Sequence, residues 1–275
     1  MEESIKVDVL SGAEYRTCRG CGLCLLPCPV FKSTGDIRKT AHGRKKALQW
    51  GADIPELAEA IDECILCAAC EPVCPVDNND ITGFTLRQRR ALNKRRDSRP
   101  DWYPELADNN NVKQGNTTGE VALIIDKDSS SDAALAGLID KIVSLLGGTR
   151  KVGVFCFDSD ALEAGLAEPD EALKSLIGFT ENARRIVATG GTTISHLRKR
   201  LSAKKIASLG ETLLAMKEVT EALRPDDLLV IDSRAFNNDH KRLIRLYDRV
   251  IKDTGVKTNL DLNRVAIPTG ADSLQ

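Results

Sequence analysis

The sequence predicts an α+β two-domain chain: an N-terminal α-helical, cysteine-rich module and a C-terminal α/β layered domain with a largely parallel sheet. Three observations predict it. Eight of the nine cysteines fall into two equally spaced groups before residue 75. The segments between and just after those groups are rich in helix formers, and beyond residue 120 short β-branched runs alternate with longer amphipathic ones, the rhythm of an α/β layer. A chain of 275 residues has room for a small module plus a larger core. We expect the module at 1–98, a linker at 99–119 and the α/β domain at 120–275.

Ala41 to Trp50 and Pro55 to Asp62 contain Ala, Leu, Lys, Glu and Gln, with Pro55 suited to a first helical position, so both are read as helices. Thr85 to Arg96 reads as another. From Asp97 to Gly119 the periodicity is lost and Pro100, Pro104, four Asn, Gly115 and Gly119 collect, which marks the linker. Beyond it, Val121 to Ile125, Val152 to Phe157, Arg185 to Ala188 and Leu228 to Ile231 are expected strands. Helices are expected at Asp132 to Leu146, Ala161 to Leu166, Thr193 to Leu201 and His240 to Asp253. Ala203 to Leu223 is ambiguous, with Lys205 to Leu209 able to form a further short strand. The cysteine motif is the one internal repeat.

A formal net charge of −1 gives no overall field toward nucleic acid or an anionic membrane. Met1 to Leu10 mixes Glu2, Glu3, Lys6 and Asp8 among its apolar residues, unlike a signal peptide. Other apolar runs fall far short of the roughly 20 residues of a membrane helix. A cytoplasmic protein without a membrane span is expected, peripheral association remaining open. With no secretion signal, two clustered cysteine groups point to metal ligation rather than disulfides.

Cys18, Cys21, Cys24 and Cys28 precede Pro29; Cys64, Cys67, Cys70 and Cys74 precede Pro75. Three thiolates two residues apart can wrap a loop around one [4Fe-4S] cubane, and the fourth, beside proline, ligates the other cluster in two-cluster proteins. We therefore expect two [4Fe-4S] clusters, one on Cys18, Cys21, Cys24 and Cys74, the other on Cys64, Cys67, Cys70 and Cys28. Gly20 and Gly22 give the first loop backbone freedom, with Ala68 and Ala69 filling the matching space in the second. Zinc is the competing reading of Cys-x-x-Cys pairs, but two identical four-cysteine runs ending in Pro are more specific for clusters. A cubane with four cysteine ligands has no open iron. It passes single electrons rather than binding substrate, so no catalytic residue is expected.

The long helical separation of the motifs, Arg44 in AHGRKKALQWG, the run DECILCAACEPVCPV and the arginine-bearing helix from Thr85 resemble a known module. It is the helical dicluster ferredoxin of heterodisulfide reductase C-type subunits, of the glycolate oxidase iron-sulfur subunit and of the C subunit of anaerobic glycerol-3-phosphate dehydrogenase. Gly35-Asp36 and Gly43-Arg44 add to the likeness, which covers about Arg16 to Arg96. Many of those relatives continue into a domain with Cys-Cys-Gly motifs that in heterodisulfide reductases holds a catalytic noncubane cluster. Here only Cys156 lies in that part, so the resemblance implies a degenerate Cys-Cys-Gly-like domain and an electron-transfer role without disulfide reduction.

Cys156, inside an apolar run, is read as a small buried hydrophobe. Thr189 to Thr193 reads as a turn with a Thr cap, the competing reading being an anion site at a helix start. Asp126, Asp158 and Asp232 follow strand-like runs, with Ser129, Ser159 and Ser233 nearby. Helix capping accounts for them, against a ligand site at the strand ends. His42, His196 and His240 are read as surface or helix residues. Arg87, Arg89, Arg90, Lys94, Arg95, Arg96 and Arg99 form a basic stretch, either a docking surface for an acidic redox partner or a solvated face balancing the clusters. No aromatic is interleaved with it, which disfavours nucleic acid.

The expected function is an electron-transfer iron-sulfur subunit of a multi-subunit oxidoreductase, relaying electrons between a flavin- or cluster-bearing partner and a further acceptor. The partners expected are a flavin-containing dehydrogenase or heterodisulfide-reductase-like subunits in a hetero-oligomer. The competing classes are a stand-alone enzyme with a ligand or flavin site in the C-terminal domain, and a cluster-based regulatory sensor.

Overall fold

Helix caps and prolines set the first part of the chain. In a computed structural model that describes residues 15–76, 80–95, 103, 120–126, 133–201 and 205–259, Cys28 is extended ahead of Pro29, which opens α1 (Pro29–Thr34) at its first position. Thr40 caps α2 (Ala41–Gln49), accepting from the Gly43 amide at 3.1 Å. A Cβ at Gly43 would stand 2.1 Å from the Ile37 carbonyl oxygen, so only glycine lets α2 lie against the preceding turn. Pro55 to Asp62 is not one helix: a 3-10 turn, Ile54–Leu57, begins at a capping box on Asp53 and Glu56 and leads into α3 (Ala58–Asp62). The expected helix from Thr85 starts earlier, as α4 (Ile81–Asn93), because Asp80 caps it through the Gly83 amide. Tyr15, Leu48, Ile54, Ile61, Phe84 and Leu92 form the core of this helical region. Of the expected linker, only Tyr103 lies among the described residues.

The C-terminal region is a parallel α/β layer. Strands β1 (Val121–Asp126), β2 (Val152–Phe157), β3 (Arg185–Ala188) and β4 (Lys205–Ser208) run in the order β2-β1-β3-β4, every pair parallel. Register sets Val121 opposite Val152 and Arg185. Helix α5 (Ala133–Leu145) covers the face bearing Leu123, Ile125 and Val187. The opposite face, with Ala122, Ile124 and Ile186, packs on α6 (Ser159–Glu163), α7 (Pro169–Thr180) and α8 (Gly191–Arg200). Burial on both faces explains why β1 reads as a continuous apolar run rather than an alternating one.

Helices α9 (Leu209–Leu214) and α10 (Lys217–Ala222) resolve the ambiguous segment. The expected strand Leu228 to Ile231 shortens to β5 (Leu228–Leu229), which leaves the main sheet to pair in parallel with β6 (Lys257–Thr258). Asn259 explains the early end, since its side chain accepts from the Ile231 amide and donates to the Ile231 carbonyl in place of a ladder. Helices α11 (Ser233–Asn238) and α12 (His240–Thr254) complete the region around Phe236, Leu243, Tyr247 and Val250. Among the described residues no helix is long and apolar enough to cross a membrane.

Candidate metal centre

The two cysteine loops trace matching turns. Gly20 and Gly22 have φ of 77° and 75°; Leu66 and Ala68, at the same places between their cysteines, have φ of 53° and 59°. The backbone positions that match the two glycines are thus Leu66 and Ala68, not the expected Ala68 and Ala69. Left-handed turns at a leucine and an alanine are uncommon and persist where their surroundings hold them.

Each loop borrows a thiol from the other motif. Cys18, Cys21, Cys24 and Cys74 line one cavity, and Cys28, Cys64, Cys67 and Cys70 line a second. Among the described residues no three His, Cys, Asp or Glu side chains close on a point suited to a single metal ion. The thiols stand around a space, as a multi-iron group requires. The second cavity also holds a buried donor in want of an acceptor, the Arg44 Nε, which has no hydrogen-bond partner. Both donor sets therefore fit a cluster. Such a group would supply one-electron capacity; the chain's residues would hold and insulate it.

Surroundings differ between the loops. Gln49 of α2 fastens the first, donating to the Tyr15 and Cys18 carbonyls at 2.8 and 2.9 Å. Cys21 is exposed, and Leu23 and Leu26 stand out at 43% and 70% exposure. The second loop is gripped from the α/β region. Arg234 of α11 donates to the Leu66 and Ile65 carbonyls at 2.7 and 3.0 Å, and Asn237 to the Cys67 carbonyl at 2.9 Å. Arg234 is itself paired with buried Glu163 and bonded to Thr192. From α4, Arg89 donates to the Cys64 carbonyl at 2.6 Å and reaches across to the Glu163 carbonyl at 2.8 Å.

Burial pushes Cys24 up to about 11, reinforced by the neighbouring Cys18 and Cys74. Burial likewise raises Cys28 and, strongly, Cys70. At Cys64 burial acts in the same sense, but the Arg44 and Arg89 guanidiniums outweigh it and bring that thiol below its ordinary value.

Residues 14–78 match the family model of a 4Fe-4S dicluster domain. They form an iron-sulfur, ferredoxin-like module of the electron-transfer kind. A curated relative is the glycolate oxidase iron-sulfur subunit of Escherichia coli (strain K12), 33% identical over 64 residues, which are 22% of this chain and 16% of the relative. The aligned part is thus about a sixth of that protein. No solved structure matches the chain.

The basic stretch corrects one expectation. Arg89 is 1% exposed, Arg87 pairs with Asp80, Arg90 and Lys94 with Glu168, and Arg95 with Asp53. Arg89 is thus an internal tie rather than part of the basic face, while Lys94 and Arg95 are exposed and solvated; Arg96 and Arg99 lie outside the described residues.

Asp158 and Asp232 cap α6 and α11 as expected, and Ser129 lies outside the described residues. Asp126 does otherwise. Half-buried beside Gly190, it accepts from Thr193 and Thr189 at 3.0 and 3.3 Å, and desolvation pushes it up to about 6 despite hydrogen bonds from these threonines and Ser159. The expected Thr cap is absent: the residue at the cap position of α8 is Gly190, with no side-chain cap, and Thr192 donates to Glu163 at 2.6 Å. Cys156 is half-buried. The three histidines are half-buried too. His42 lines the first cavity, burial lowers His196 to about 4, and His240 sits edge-on to Phe236. Sequence reasoning missed Arg234, Glu163 and Asn237, which lie about 100 to 170 residues from the loop that they hold.

Proposed function

We propose that the chain is an electron-transfer subunit that relays single electrons through two [4Fe-4S] clusters, one on Cys18, Cys21, Cys24 and Cys74, the other on Cys28, Cys64, Cys67 and Cys70. The observation that carries this reading is the crossed lining of the two cavities, three thiols from one motif and the fourth from the other. Full cysteine ligation leaves no iron open to substrate, which suits relay rather than bond chemistry. The partner is a flavin-containing dehydrogenase subunit, or a heterodisulfide-reductase-like one, in a hetero-oligomer. The similarity to an iron-sulfur subunit of glycolate oxidase is in keeping with that. We infer a helical dicluster module at 1–98, a linker at 99–119 and a degenerate Cys-Cys-Gly-like domain at 120–275. In this reading the last braces the second centre. The strand ends where α/β proteins usually bind ligands are next to α6 and α11, which are engaged with the second cysteine loop. That favours a brace over a separate ligand or flavin site.

The test is anaerobic affinity purification from the native host, with iron, sulfide and flavin quantified in every copurifying chain. About eight irons on this chain and a flavoprotein or cluster-bearing companion are expected. Purification alone with bound flavin, or with far fewer irons, overturns the reading.

A further inference from the structure

The two cavities differ in the charge built beside them. Arg44 is 1% exposed and lines the second cavity, not the first. Its bonded neighbours are neutral: the Ala60 and Lys39 carbonyls at 2.9 and 3.2 Å and the Thr85 hydroxyl at 2.9 Å. Among the described residues no carboxylate pairs with it. A guanidinium stays charged, and burying one without a counter-charge is strongly unfavourable. The anion within reach is the thiolate set. Arg44 lines the second cavity together with Cys28 and Cys64, its Nε without a hydrogen-bond partner, and Arg89 donates to the Cys64 carbonyl at 2.6 Å. On the first cavity the buried cation is Lys45, whose ammonium stands 5.4 Å from the Phe84 ring centroid. A carboxylate near the second loop, Glu71, is itself bonded, accepting from the Thr82 amide and hydroxyl at 2.8 and 2.6 Å.

Resting on the two-cluster reading above, we propose that Arg44, with Arg89, makes the Cys28, Cys64, Cys67 and Cys70 centre the one of higher reduction potential. An electron received at the exposed first centre then comes to rest at the second. Reduction adds a negative charge to an already anionic cluster, and nearby cations and N–H donors to sulfur favour that state. Burial alone works the other way. Two guanidiniums fixed in a weakly screening interior outweigh it, because the same low dielectric strengthens their attraction. The transfer moves one electron, oxidising the first centre and reducing the second; no bond forms or breaks. Arg44 is a positioning and tuning residue here, not a ligand.

The full-length, cluster-loaded chain is titrated anaerobically with redox mediators, reduced clusters being counted by electron paramagnetic resonance. Two one-electron steps are expected. Arg44→Gln should move the upper step down and leave the lower in place, and Arg44→Lys, which keeps the charge, should move it less. Cys64→Ser marks the second centre independently, and decides the matter if Arg44→Gln takes up no iron: the step that it shifts or abolishes should be the upper. The inference is overturned if that step is the lower, if Arg44→Gln shifts the lower step, or if the two steps coincide. Iron is counted first. About four irons in place of about eight would sink the two-cluster reading itself, which separates that failure from a wrong order of potentials.

Discussion

The loop from Cys18 to Cys24 and the loop from Cys64 to Cys70 turn at matching positions, Gly20 and Gly22 in one, Leu66 and Ala68 in the other. The first is tied to its own module by Gln49, and its rim bears exposed Cys21, Leu23 and Leu26. The second is roofed by α11, and the carbonyls of Cys64, Ile65, Leu66 and Cys67 all accept from side chains, three from arginine and one from Asn237. Equal cysteine spacing therefore goes with equal turns of the loop and says nothing about what encloses it. In one loop glycine makes the turn easy; in the other, distant arginines hold a turn that its own residues resist.

The proposed crossing of the fourth ligand gives the largest expected effect. Cys28→Ser should impair the centre on Cys64, Cys67 and Cys70 while the centre that includes Cys74 survives; Cys74→Ser should do the reverse. Iron content and the paramagnetic signal of each variant read this out. A variant that damaged the centre of its own motif would show that ligation is not crossed.

Next comes the clamp. Arg234→Ala would leave Glu163, 3% exposed, without its cation and two loop carbonyls without donors. Removing one member of a buried ion pair costs about 3–5 kcal/mol. We expect a lower thermal midpoint and iron lost to a chelator from the second centre before the first. Adding Glu163→Gln should recover part of the loss by removing the stranded charge. Equal iron loss from both centres would mean that the clamp does not distinguish them.

The cysteine groups that line the two cavities, α2, the strands β1 to β3 and the helices α5, α8 and α12 were legible because their signals are local: spacing, β-branched runs, helical periodicity. Helix α7 was legible in principle, with Pro169 at its start, Asp170 and Glu171 in its first turn and Leu173 and Leu176 buried at helical spacing, yet no element was assigned there. The clamp was not legible. Nothing near Arg234 in sequence distinguishes it from an arginine on a solvated helix, and its role exists only because the chain returns to residue 65. Arg89 was misread for the same reason, as one charge in a basic run, when its neighbours across space are carbonyls of α3 and α6.

A smaller effect tests whether the clamp is anchored at the strand ends. Asp126, beside α8, is raised to about 6 by burial from 3.8, so the folded state holds the proton more tightly than the unfolded one. Stability should therefore be greatest below about pH 4, fall by ~3 kcal/mol as pH rises through about 6, and change no further above it on this group's account. Urea midpoints between pH 4.5 and 7 check the slope, and Asp126→Asn should flatten it. An unchanged slope in that variant would assign the pH dependence elsewhere.

The smallest effect probes the turns themselves. Gly20→Ala puts a Cβ on a residue at φ 77°, with the Lys46 side chain 3.5 Å away. Ala68→Gly removes one from a residue at φ 59°. A left-handed alanine is roughly 1–2 kcal/mol less favourable than glycine there, partly offset by the unfolded glycine's greater freedom. The two substitutions should shift the thermal midpoint in opposite directions, down at Gly20 and up at Ala68, each by less than the Arg234 variant. If Ala68→Gly also destabilised, the second loop would owe its left-handed turn to contacts of the Ala68 methyl, which is 1% exposed, rather than to the grip on its carbonyls.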